Sequence, residues 1–66
     1  MRTELKVLRV KHNLTQKELA EKVGVSYPTY NLIEQGKRKG STQFWANVQK
    51  LFNLEDGELW KLYANK

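Results

Sequence analysis

The stretch LTQKELAEKVGVS, residues 14–26, carries the strongest local signal for structure in the chain. Thr15 can accept a hydrogen bond from the backbone N–H of Glu18, and the Glu18 side chain can reach back to the N–H of Thr15. The leucines that flank this pair can pack on each other, which adds a hydrophobic staple to the capping box. A helix is therefore predicted to begin at Thr15 and to end at Gly24, a residue suited to positive φ.

The residues that follow predict a helix with a proline near its beginning. Ser26 is a good N-cap, and Pro28 falls in the first turn, where backbone N–H groups have no partner within the helix. At about 100° per residue, one face of this helix is apolar except for Glu34, and the opposite face is uncharged. Gly36 ends the helix. Three consecutive basic residues come next, Lys37, Arg38 and Lys39.

Helical periodicity also dominates the rest of the chain, and no segment alternates apolar and polar residues for long enough to predict a strand. We therefore expect an all-α fold, a compact five-helix domain that takes in the whole chain, residues 1–66. The predicted helices span about 3–12, 16–23, 27–35, 42–52 and 56–63. The fourth helix is expected to bury an apolar stripe made of Phe44, Trp45, Val48, Leu51 and Phe52.

The charge is unevenly distributed. Residues 1–39 hold nine Lys or Arg against four acids, and residues 40–66 hold three against three. A basic half beside a neutral half favours a polyanionic partner. Cysteine is absent, which removes disulfides and thiolate chemistry and fits a reducing compartment. With no membrane-length apolar run and no secretory signal visible, we expect a cytoplasmic protein that does not engage a membrane.

The motif LTQKELAEKVGVS…IEQGKR resembles the helix-turn-helix proteins of the lambda-repressor and Cro (XRE) family, and the resemblance covers nearly all of residues 3–62. Ala20 and Gly24 supply the small side chain and the permissive backbone that two closely crossing helices need. The resemblance implies a DNA-binding domain with helix 27–35 in the major groove of double-stranded DNA. It further implies a sequence-specific transcriptional regulator, a repressor, that needs no cofactor, metal or small-molecule ligand.

Residue by residue, the resemblance assigns base contacts to the outward side of the third helix: Tyr27, Pro28, Thr29, Asn31 and Leu32. Asn31 could bond an adenine edge in bidentate fashion, and the absence of arginine from this face favours an A/T-leaning site. Phosphate contacts are implied for Gln16, Lys17, Ser26, Lys37, Arg38, Lys39 and Ser41. The free backbone N–H groups of residues 41–43 are expected to join them.

Two positions depart from the family pattern, and one pair matches it. Tyr30 stands where an aliphatic residue is usual, so its ring fills the core, its hydroxyl reaches a phosphate, or both. Leu32 stands where a polar base reader is common, and packing into the core is its alternative role. The resemblance pairs Arg9 with Glu34 in a partly buried ion pair, against the alternative of two unrelated surface charges.

The neutral half of the chain carries Trp60 and Tyr63, which we expect at a homodimer interface rather than inside a monomer. A homodimer implies an operator with dyad symmetry and half-sites about one helical turn apart. A competing function keeps the fold and uses the neutral half to bind a protein, as an antitoxin or anti-repressor would.

Catalysis has little support in this sequence, and we expect a protein that is not an enzyme. His12, the single histidine, lies at the end of the first predicted helix, where the helix dipole or solvation explains it. The acids at the start of the fifth helix suit the positive end of that helix dipole and need no metal or catalytic role. They are Glu55, Asp56 and Glu58.

Overall fold

The computed structural model describes residues 1–64 and contains five α-helices, with no strand in that range. The helices are α1 (Thr3–Lys11), α2 (Gln16–Val23), α3 (Tyr27–Glu34), α4 (Thr42–Phe52) and α5 (Asp56–Ala64). The predicted all-α, five-helix fold is confirmed. Helices α1 and α3 each end one residue before the expected position, and α5 extends one residue beyond it. None of these helices is long and apolar enough to cross a membrane.

Side-chain caps start three of the helices. The hydroxyl oxygens of Thr15, Ser26 and Ser41 each accept a hydrogen bond from the backbone N–H three residues later. The capping box of α2 is complete, because the Thr15 N–H donates to Glu18 Oε1 at 2.8 Å and the Glu18 N–H donates to Thr15 Oγ1 at 3.0 Å. Left-handed residues end or follow α1, α2 and α4: Asn13, Gly24 and Asn53.

Every helix contributes to one buried core. Its members are Leu5, Leu19, Ala20, Val23, Tyr30, Ile33, Phe44, Trp45, Val48 and Leu62. Tyr30 is wholly buried, so its ring fills the space between helices, and the alternative in which its hydroxyl reaches a phosphate is wrong. The expected stripe of α4 needs one correction: Leu51 is 40% exposed, because it lies at the edge of the stripe that the buried side chains of α4 form.

Helices α2 and α3 pack on each other, and each also packs on another helix of the domain. Helix α2 packs on α3 and α4, α1 packs on α3 and α5, and α4 packs on α5. Asn47 of α4 also donates through Nδ2 to the backbone carbonyl of Val23 at 3.1 Å, which satisfies a carbonyl at the end of α2. The α2–α3 unit is therefore held by its neighbours, while the start of α3 stays exposed at Tyr27 and Pro28.

Candidate nucleic-acid interface

A tight turn joins α2 to α3. Gly24 adopts φ 76° at the end of α2, and the Val25 N–H donates to the Ala20 carbonyl at 3.0 Å. Ser26 then caps α3: its Oγ accepts from the Thr29 N–H at 3.3 Å and donates to Thr29 Oγ1 at 2.8 Å. Because both helices are capped at this junction, the turn holds α3 at a defined angle to α2.

Helix α3 divides into a buried and an outward face. Tyr30, Ile33 and Glu34 are buried, whereas Tyr27 is 50% exposed and Pro28 is exposed. The other three residues expected to contact bases are partly buried: Thr29, Asn31 and Leu32. The outward face carries no charge, since the acid of this helix, Glu34, points inward.

Three amide side chains form a hydrogen-bonded chain across α2 and α3. Asn31 Nδ2 donates to Gln16 Oε1 at 3.0 Å, and Gln35 Nε2 donates to Asn31 Oδ1 at 2.6 Å. Motif matching did not reveal this amide chain, because the spacing of the three residues says nothing of their rotamers. Its direction leaves Gln16 Nε2 as a donor at the start of α2, and it uses one of the two N–H groups and one of the two lone pairs of the Asn31 amide.

Lys37, Arg38 and Lys39, here called the basic segment, follow α3 directly. Their side chains are exposed. The segment's backbone is tied to α3, because the Lys37 and Arg38 N–H groups donate to the Leu32 carbonyl at 2.9 and 3.3 Å. The basic segment therefore begins at a fixed position beside the C-terminal end of α3.

Arg2 is a residue whose place in the fold no sequence signal indicated. It is 0% exposed, and its guanidinium donates to backbone carbonyls of Ile33, Arg38 and Tyr63, the last two at 2.8 and 3.3 Å. The guanidinium carbon also lies 5.3 Å from the centre of the Trp45 ring, a cation–π distance. Burial lowers the pKa of Arg2. In the sequence, Arg2 counted only as one more basic residue.

Arg9 and Glu34 form an ion pair between α1 and α3. Arg9 Nε and Nη2 donate to the two oxygens of Glu34 at 3.1 and 3.2 Å, and Arg9 Nη1 donates to the Leu14 carbonyl at 2.8 Å. Burial acts to lower the pKa of Arg9, but the hydrogen bond and the charge of Glu34 outweigh it and leave that pKa raised. Burial, reinforced by Glu34, raises the pKa of the adjacent Tyr30 phenol, which keeps it protonated.

The remaining candidates lie apart from α3. Ser41 Oγ accepts from the Phe44 N–H at 3.0 Å, so it acts as the cap of α4. Trp60 is 64% exposed, and its ring centre lies 5.8 Å from that of the partly buried Tyr63. Both line a groove of about 500 Å³ between α4 and α5. Among the described residues, no group of three or more His, Cys, Asp or Glu side chains could hold a metal ion.

A capped helix, braced by its predecessor and followed by cations, is the arrangement through which helix-turn-helix proteins bind DNA. The fold and the surface of α3 define that class of DNA-binding domain. A family model described as helix-turn-helix matches residues 5–59, and the chain belongs to this family, of the lambda-repressor and Cro (XRE) type. The resemblance found in the sequence is confirmed. The family is one of DNA-binding regulators and not a class of enzymes.

Curated relatives match almost the full length of the chain. A protein of Archaeoglobus fulgidus is 40% identical, with 91% of this chain and 97% of that protein aligned, and a second from the same organism is 38% identical over 92% and 97%. A protein of Methanocaldococcus jannaschii is 42% identical over 83% of each chain. All three carry the name of uncharacterised HTH-type transcriptional regulators. No solved structure matches this chain.

Proposed function

We propose that this protein is a sequence-specific, double-stranded DNA-binding regulator that represses transcription in the cytoplasm. In this proposal α3 enters the major groove. The observation that carries it is the uncharged outward face of α3, followed within three residues by the exposed basic segment. An uncharged face can approach base edges closely, and cations beside it can neutralise the phosphates on either side of the groove.

Base reading is assigned to five side chains of α3. Tyr27 and Pro28 are exposed at the N-terminal end of the helix, the end that this class of protein brings to the bases. Pro28, Leu32 and the methyl group of Thr29 suit thymine methyl groups. Besides its two hydrogen bonds to the neighbouring glutamines, Asn31 keeps a second N–H and a second lone pair, which it could offer to an adenine edge. With no arginine on this face, the proposed site leans toward A/T.

Phosphate contacts are assigned to the helix starts and to the basic segment. Gln16 accepts from Asn31 through Oε1, so its Nε2 is oriented as a donor at the positive end of α2, where a phosphate would bind favourably. Ser41 and the backbone N–H groups of residues 41–43 offer a similar position at the start of α4. The full proposed set is Gln16, Lys17, Ser26, Lys37, Arg38, Lys39 and Ser41.

A homodimer on an operator with dyad symmetry completes the proposal. The molecule measures 26 Å along its longest axis, whereas half-sites one helical turn apart are separated by about 34–36 Å. One copy therefore covers one half-site, and a second copy is needed for the other. Trp60 and Tyr63 are the proposed contact between copies, because an exposed tryptophan beside an apolar groove gains the most from burial.

A binding-site selection followed by a salt titration tests the proposal. The selection should return an A/T-leaning sequence with two symmetric half-sites and without invariant guanines opposite α3. Binding to that duplex should weaken with salt at a log–log slope of about −5 to −7, as expected for five to eight neutralised phosphates. Failure to enrich any duplex, or a slope near zero, would refute DNA binding.

The groove between α4 and α5 favours a second candidate function, a protein-interaction module of the antitoxin or anti-repressor type. Trp45, Leu59, Trp60 and Tyr63 line it, and it lies in the neutral half of the chain. A module that acts through this groove alone would bind its protein partner with little dependence on salt and would show no duplex preference. The same titration therefore separates the two functions.

A further inference from the structure

The contacts of Arg2 join three parts of the fold that are far apart in the sequence. Nη1 donates to the carbonyls of Ile33, near the end of α3, and Arg38, within the basic segment. Nε donates to the carbonyl of Tyr63 in α5. The backbone N–H of Arg2 adds a bond of 2.8 Å to the Glu34 carbonyl. A single side chain thus connects the C-terminal end of α3, the basic segment and α5.

The charge of Arg2 is unusual for its surroundings. No carboxylate of the described residues pairs with it, and Nη2 is buried without a hydrogen-bond acceptor among them. Backbone carbonyls and the rings of Trp45 and Tyr63, at 5.3 and 5.8 Å, take the place of a counter-ion. A buried cation that has no carboxylate partner among residues 1–64 is costly, so a core that needed only to fill space would be served better by an apolar side chain.

One contact of Arg2 fixes the backbone of the basic segment. Arg2 holds the Arg38 carbonyl from within at 2.8 Å, and Trp45 Nε1 holds the next carbonyl, that of Lys39, at 2.7 Å. Gly40 lets the chain pass this point at φ 79°, where a Cβ atom would lie 2.9 Å from Trp45 Nε1. With two successive carbonyls fixed inward, the segment is ordered before any ligand arrives, which reduces the entropy lost on binding.

We propose that Arg2 is a positioning residue for DNA binding, which holds the backbone of the basic segment so that its side chains meet consecutive phosphates. The inference rests on the proposed function, since it concerns how the same surface binds DNA. Arg2 itself touches no phosphate, because its side chain is fully buried. Its effect reaches the DNA through the carbonyl of Arg38.

The test is the salt dependence of binding to the selected duplex in an Arg2→Lys variant. Lysine keeps the positive charge but loses the planar fork, so we expect it to release one or more of the carbonyls that Arg2 holds. The affinity should fall about 10-fold, and the log–log slope should become shallower by about 1 to 2, as for one or two lost phosphate contacts. Lys50→Arg is the matched control, since it exchanges one basic side chain for another at an exposed position outside the proposed DNA-binding surface and should leave the slope unchanged.

Two further variants show whether Arg2 acts through the basic segment. In a background with Lys37→Ala, Arg38→Ala and Lys39→Ala, the added Arg2→Lys change should not alter the slope further. Trp45→Phe removes the donor to the Lys39 carbonyl but keeps Arg2 and an aromatic ring beside it, so it should make the slope shallower as Arg2→Lys does. All variants are assayed below their own melting temperatures.

The outcomes separate this inference from the proposed function. A parent protein without a steep slope contradicts DNA binding itself. If the parent slope is steep and Arg2→Lys leaves it unchanged, only the positioning role is overturned. The same holds if Arg2→Lys makes the slope shallower by an equal amount in the variant with alanine at residues 37–39. If Arg2→Lys lowers only the melting temperature, Arg2 is structural and the inference is wrong. Should Arg2→Lys fail to fold, an unchanged slope in Trp45→Phe overturns the inference instead.

Discussion

Glu34 shows what a single side chain contributes to α3. Its carboxylate is 1% exposed and receives two hydrogen bonds from Arg9, whose side chain is 11% exposed. The pair connects the end of α3 to α1, so it fixes the helix that carries the proposed base readers. A buried charge that loses its partner cannot regain its hydration, which makes the loss of one member more costly than the pair's net contribution.

Replacing Glu34 with alanine should therefore lower the free energy of unfolding by about 3–5 kcal/mol, because Arg9 is left largely buried without a counter-ion. Urea unfolding followed by circular dichroism measures the change. Glu21→Ala, at an exposed position of α2, is the control and should stay within about 0.5 kcal/mol of the parent. Equal midpoints for Glu34→Ala and the parent would show that the pair contributes nothing to stability.

Single side chains also differ in how far their roles could be predicted from the sequence. Matching the family motif indicated Arg9 and Glu34 as a pair, since both positions lie in recognisable local patterns. The role of Tyr30 stayed open, because its burial depends on how closely the helices around it approach. The hydrogen bonds that Asn31 makes with two glutamines were not foreseen, since rotamers and the crossing of α2 and α3 decide them.

At the scale of elements, α2 owes its start to the capping box. Thr15 and Glu18 satisfy each other's backbone N–H groups at 2.8 and 3.0 Å. The hydrogen bond from the Thr15 backbone, followed by that involving its side chain, lowers the pKa of Glu18 from its usual 4.5. The caps and the helix boundaries could be read from the sequence to within a residue, because they depend on contacts between near neighbours.

A pH dependence follows from the capping box. Because the pKa of Glu18 is lower in the folded protein than in the unfolded chain, its carboxylate stabilises the fold above the unfolded value, and this contribution is lost as the pH falls through the folded value. The parent should be more stable than Glu18→Gln at neutral pH, and the difference should shrink as the pH falls below the pKa of Glu18 in the unfolded chain and through its lower pKa in the folded protein. Urea unfolding of both proteins across this range measures it. A difference that stays constant with pH would show that the charge of Glu18 has no part in the cap.

At the scale of the whole molecule, contacts between residues far apart in the sequence determine features that local sequence patterns could not predict. Residue 2 precedes α1 and belongs to no periodic pattern, yet Arg2 is bonded to segments 31, 36 and 61 residues away. Each acceptor is a backbone carbonyl, which any amino acid would supply, so no residue type marks the site. The position of the basic segment was therefore predictable along the chain but not in space.

The proposed dimer is also a matter for the whole molecule. Trp60→Ala should weaken self-association roughly 30-fold, because truncation of a central interface tryptophan costs about 2 kcal/mol. The unfolding free energy of the monomer should change little, as Trp60 is largely exposed. Sedimentation equilibrium measures the association. Val7→Ala, at a similarly exposed apolar position on α1, is the control, and a parent that stays monomeric at DNA-binding concentrations would contradict the dimer.

The central claim is that α3 reads bases while the basic segment binds phosphates, and one comparison tests it most directly. Salt titrations on the selected duplex and on a scrambled one are run for Asn31→Ala and for the variant with alanine at residues 37–39. Asn31→Ala should lower the ratio of the affinities for the selected and the scrambled duplex by about 10-fold, since it removes a base contact. It should leave the salt slope unchanged. The basic-segment variant should make the slope shallower by about 2 to 3 and keep the preference. Parent-like behaviour of both variants would contradict the account.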